Sequence, residues 1–97
     1  MRLNVKLRDG FLNDTVIATV NGKEVFQKAG VQTDLSLSFA DGFEIEVEDP
    51  EVELGVAVAG GPRATRKVRL AETPFVEVSK NAGDLEIRAS AEEVPMM

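Results

Sequence analysis

Asn21-Gly22 sits between two runs rich in β-branched and aromatic residues, T-V-I-A-T-V before it and K-E-V-F-Q-K after it. A type I′ turn needs φ > 0 at both central residues, and Asn-Gly adopts that conformation at least cost. The stretch from Thr15 to Lys28 therefore reads as a two-residue hairpin. Its simplest register sets Val20 opposite Lys23, Thr19 opposite Glu24, Ala18 opposite Val25 and Ile17 opposite Phe26. Val16, Ala18, Val20 and Val25 then share one face, and Ile17 and Phe26 share the other. A hairpin apolar on both faces belongs at the centre of a sheet, or has one face covered by another chain.

The same period of two recurs along the chain. Leu3, Val5 and Leu7 alternate with Arg2, Asn4, Lys6 and Arg8, as a half-buried strand requires. Phe11 and Leu12 follow Asp9-Gly10 and are expected to plug one end of the core. Leu35, Leu37 and Phe39 alternate with Asp34, Ser36 and Ser38, and Phe43, Ile45 and Val47 alternate with Glu44, Glu46 and Glu48. These two runs predict a second hairpin closed through Ala40-Asp41-Gly42, ending at Asp49-Pro50 because proline cannot donate to a ladder. Val52, Leu54, Val56 and Val58 lead through Gly60-Gly61-Pro62 to Val68 and Leu70. A three-residue loop would set Glu53 opposite Lys67 and Glu51 opposite Arg69, whereas a five-residue loop would set Glu53 opposite Arg69. Both keep the apolar face inward and pair opposite charges. Val76 and Val78, then a turn at Asn81-Ala82-Gly83, then Leu85 and Ile87 complete the pattern.

No run has the i, i+3, i+4, i+7 spacing of a helix. About nine short strands with turn signals between them read as an antiparallel β-sandwich, immunoglobulin-like or jelly-roll-like in layout, with a small closed β-barrel as the alternative. The expected organisation is one all-β domain over residues 1–90 with a C-terminal tail over 91–97. A chain of 97 residues that is 43% hydrophobic can supply one modest core. Cysteine is absent, so that core stands without disulfides, as suits a reducing compartment.

The missing residue types exclude much chemistry. Without histidine or cysteine there is no Ser-His-Asp triad, no Cys-His pair and no imidazole or thiolate zinc site. No phosphate-cradling glycine loop precedes a helix pattern. A formal net charge of −6 disfavours nonspecific nucleic-acid binding and adhesion to anionic membranes. The expectation is a soluble, cytoplasmic, non-catalytic domain without a cofactor that binds a protein partner or self-associates. One alternative is a calcium- or carbohydrate-binding module built from the loop acids Asp9, Asp14, Asp34 and Asp41. Another is a small carboxylate-dependent hydrolase, which would need two acids converging in a cleft.

Two features point to an interaction surface. Ile17, Phe26 and Phe75 would form an exposed apolar patch if they share a face that is not the core. Glu44, Glu46 and Glu48, continued by Asp49, Glu51 and Glu53, would form an acidic ladder able to keep strand edges apart, hold a hard cation or receive a basic partner. The basic run Arg63, Arg66, Lys67 and Arg69 is expected to pair across strands with Glu51 and Glu53.

Overall fold

Alternating apolar residues separated by tight turns produce eight strands and no helix among the described residues of the computed structural model, which are 1–37, 39–81 and 83–91. In chain order the strands are β1 (Arg2–Leu7), β2 (Asp14–Val20), β3 (Lys23–Val31) and β4 (Asp41–Glu46). They are followed by β5 (Glu51–Val58), β6 (Arg63–Arg69), β7 (Phe75–Asn81) and β8 (Asp84–Ser90). They form two four-stranded sheets, ordered β4-β1-β7-β8 and β3-β2-β5-β6, and neither closes into a barrel. One difference from the all-antiparallel expectation lies at the middle of the first sheet. There β1 runs parallel to β7, with Val5 beside Val76 and Leu7 beside Val78.

Both sheets turn their apolar rows onto a common core. Leu3, Val5, Leu7, Val76, Val78 and Ile87 come from one sheet, and Val16, Ala18, Val52, Leu54, Val56 and Val68 from the other. Burying each of these Leu, Val and Ile side chains stabilises the fold by roughly 1.5–3 kcal/mol before chain entropy is charged against it.

The Asn21-Gly22 turn has the expected hand, with φ of 52° and 83°. Val20 faces Lys23 and Thr19 faces Glu24, but the register then shifts: Ala18 lies opposite Phe26 and Ile17 opposite Gln27. The extra residue is a β-bulge at Val25, and it lets the sequence neighbours Val25 and Phe26 both pack against the core. Phe26 therefore lies on the core side and not beside Ile17.

The second hairpin does not form as expected. Leu35, Ser36 and Leu37 make a turn closed by a single bridge between Asp34 and Phe39, and β4 pairs with β1 instead. Asp34 decides this: its Oδ1 accepts the Ser36 amide at 3.0 Å and the Ser36 hydroxyl at 2.7 Å, a local bond that competes with strand pairing. Ser38, assigned to that hairpin, lies outside the described residues. Between β5 and β6 the three-residue loop holds, with Glu53 opposite Lys67, Glu51 opposite Arg69 and the Val58 amide donating to the Pro62 carbonyl at 2.9 Å. β7 and β8 meet at Asn81 and Asp84, while Ala82 of the expected turn and residues 92–97 of the expected tail lie outside the described set.

Candidate interaction surfaces

The residues expected to form one surface are divided among several. Ile17 is half-buried on the outer face of β2, where it pairs with Ala57 of β5. Phe26 stacks on Phe43 of β4, with ring centroids 4.5 Å apart and planes 11° from parallel, and closes one side of the core between the sheets. Phe75 is half-buried on the other sheet, beside Asn4 and Ser90. Ile17, Phe26 and Phe75 thus share no face.

The acidic ladder is divided as well. Glu44 and Glu46 stand on the outer face of β4, and both engage Arg2 of β1, at 3.5 Å and 3.0 Å. Glu48 is exposed in the bend after β4, while Glu51 lies in the second sheet, 3.4 Å from Arg69. Among the described residues no three acidic side chains gather in a way that could hold a metal ion.

The loop acids do share one end of the molecule, because β1 ends where β2 and β4 begin: Leu7 pairs with Asp41, and Asp14 with Val31. The carboxylates of Asp14, Asp34 and Asp41 are already engaged there, and Asp9 is tied through its backbone. Lys80 Nζ lies 3.2 Å from Asp14 Oδ2, Lys28 forms an ion pair with Asp41, and the Asp9 carbonyl accepts the Lys80 amide at 2.8 Å. The Ser36 hydroxyl and then its amide hold the Asp34 carboxyl below the ordinary carboxylate range. Burial pushes the Asp41 carboxyl up, but Lys28 and the Gly42 amide outweigh it and leave a net lowering.

At this same end the chain exposes what the periodic pattern had turned inward. Phe11 is fully buried and plugs the core, but Leu12 beside it is 74% exposed. On the neighbouring loop Leu35 is 88% and Leu37 45% exposed. Thr33, which the sequence reading passed over, fastens the two loops. Its hydroxyl donates to the Arg8 carbonyl at 2.6 Å and accepts the Phe11 amide at 3.0 Å, and its own amide donates to the Phe11 carbonyl at 2.8 Å. Three leucines therefore project from two loops whose backbones are tied together. The signal available in the sequence was Asp34-Leu35-Ser36, an Asp–x–Ser spacing that favours a side-chain-closed turn over a strand.

Around the corner, on the outer face of β7 and β8, lies an open groove of about 590 Å³ lined by Arg8, Asp9, Glu77, Lys80, Glu86 and Arg88 among others. Both of its glutamates are occupied within the chain: Glu77 pairs with Arg8, and Glu86 Oε1 lies 2.6 Å from Arg88 Nε. Among the described residues no helix is long and apolar enough to cross a membrane. Compared with known proteins, the chain matches no family model, no curated sequence and no solved structure.

Proposed function

We propose that this chain is a non-catalytic β-sandwich, immunoglobulin-like or jelly-roll-like in layout, that serves as a protein-interaction or accessory domain. A reducing compartment such as the cytoplasm suits its lack of cysteine. The observation that supports this reading is the exposure of Leu12, Leu35 and Leu37 on two adjoining loops. Exposed leucines cost solubility unless they are covered in use, and apolar patches on small domains mark contact sites. Thr33 adds the second requirement of a binding epitope, because it orders the loops in advance and lowers the entropy lost on docking. The occupant would be an apolar cleft on a partner protein, with the leucines as its anchors.

The groove on β7 and β8 does not favour a hydrolase, since Glu77 and Glu86 are each bonded to an arginine. The calcium reading has no observation in its favour: Asp14 and Asp41 are engaged by lysines and Asp34 by Ser36, and among the described residues no three acids gather to hold a metal ion.

The test is affinity capture from source-cell lysate with the wild-type chain and with a Leu12→Ser, Leu35→Ser, Leu37→Ser variant, followed by mass spectrometry. A stoichiometric protein retained by the first and lost by the second is the expected result. Equal retention by both, or nothing retained by wild type, would overturn the proposal.

A further inference from the structure

Two sheets of four strands leave four edges, and these are not equivalent. The β3 edge is broken by the bulge at Val25. Arg66 of β6 reaches across to β8, where its guanidinium donates to the Ile87 carbonyl at 3.0 Å and so occupies an acceptor of that strand's open side. A bulge, or an outward backbone acceptor that is already occupied, blunts an edge against pairing. β4 and β6 keep regular registers along their full paired lengths.

The hydrogen bonds fix which backbone groups those two edges present. Val58 donates to Pro62 and Leu70 to Pro50, so by alternation Ala64, Arg66 and Val68 bond to β5. Arg63, Thr65 and Lys67 then turn their amides and carbonyls outward, and Arg69 its amide, its carbonyl accepting the Glu72 and Thr73 amides at 3.0 and 2.7 Å. On β4, Met1 and Val47 exchange both bonds at 2.7 Å, so Phe43 and Ile45 face β1 while Gly42, Glu44 and Glu46 turn outward. The residues with open backbone groups are also those whose side chains lie on the outer face. The charged ones are basic on β6 and acidic on β4.

We propose that β4 of one copy of this chain adds to β6 of a second copy as an antiparallel strand. Like charges along each edge oppose β4–β4 and β6–β6 pairing, whereas β4 against β6 is complementary. The register that sets Glu44 opposite Arg69 and Glu46 opposite Lys67 also sets Phe43 opposite Leu70 and Ile45 opposite Val68, matching both faces at once. The same basic row already faces Glu51 and Glu53 across β5 within one chain. The contact is head-to-tail, so each pair of copies retains one edge of each kind and association continues into strings.

Sedimentation and light scattering of the purified chain, from micromolar to millimolar concentration, test this. Wild type is expected to gain mass with concentration. Lys67→Glu with Arg69→Glu, and separately Glu44→Lys with Glu46→Lys, should each abolish association. An equimolar mixture of the two should restore it, because each reversed edge then meets its complement. Lys67→Pro should block association while keeping the melting transition, since the Lys67 amide points away from β5 and toward the partner's Glu46. This variant decides the matter if charge reversal disturbs folding. A wild-type chain monomeric at millimolar concentration would overturn the proposal. So would association that survives Lys67→Pro, or that disappears only in the leucine-loop variant.

Discussion

Phe26 and Phe43 stack across the gap between the two sheets, their ring centroids 4.5 Å apart. One ring comes from edge strand β3 and the other from edge strand β4, and between them they close a side of the core that no strand pairing covers. The bulge at Val25 makes this contact available by turning Phe26 inward.

A double-mutant cycle with Phe26→Leu and Phe43→Leu should therefore show coupling of about 0.5–1.5 kcal/mol, the range for aromatic pairs beyond their buried area. Urea unfolding of the four proteins measures it. Additive losses would mean that the rings contribute only as separate apolar groups.

Thr33 holds the leucine loops through three hydrogen bonds, two of them made by its buried hydroxyl. Thr33→Val keeps the shape and removes the hydroxyl, leaving the Phe11 amide without that acceptor. The expected loss is about 1–3 kcal/mol. Thr33→Ser should recover most of it. Faster amide exchange at Phe11 in the valine variant would place the loss at this clasp.

Gly10 and Gly22 both have positive φ, 89° and 83°, but their surroundings differ. A Cβ at Gly22 meets nothing within 4 Å, whereas one at Gly10 would run into the Lys80 carbonyl. Gly22→Ala should cost only the left-handed backbone penalty of about 1–2 kcal/mol. Gly10→Ala should cost clearly more, because the Asp9–Lys80 pairing must open as well. Thermal melts of the two variants side by side give the ranking, and equal melting temperatures would contradict it.

Asp41 has its folded-state pKa lowered from the ordinary 3.8 by Lys28 and the Gly42 amide, against the opposing effect of burial. A carboxyl depressed in the folded state contributes stability above its unfolded pKa and loses it as pH falls through the folded value. Asp41→Asn should thus melt below wild type at neutral pH, and the gap should narrow as pH falls from about 4 toward 2. A gap independent of pH would assign the effect to geometry alone.

Most strands were legible because one buried face imposes a period of two, and Leu3-Val5-Leu7 or Val76-Val78 can satisfy it in only one way. The Asn21-Gly22 turn was legible because its backbone geometry selects its residues. The bulge at Val25 was not, since what favours it is a stack with Phe43, a residue distant in sequence. Leu35 and Leu37 kept the strand period yet lie in a turn, because the local Asp34–Ser36 bonds compete with strand pairing there. That misplacement also hid the candidate surface: side chains assigned to the core are the ones facing solvent. The parallel β1–β7 pair left no trace in the pattern, as a strand's alternation is the same whichever way its neighbour runs.

That parallel pair imposes an order of events on the nascent chain. β1 precedes β2 to β6 in the chain, yet one of its two neighbours, β7, follows them all. While β2 to β6 emerge, β1 can pair only with β4, leaving one whole side of it open. The sheet β3-β2-β5-β6 can meanwhile be completed from contiguous hairpins and their neighbours. The strand pairing of one sheet can thus form during synthesis, whereas the other sheet, and the core the two share, must wait for Phe75–Val78 to leave the ribosome and join β1.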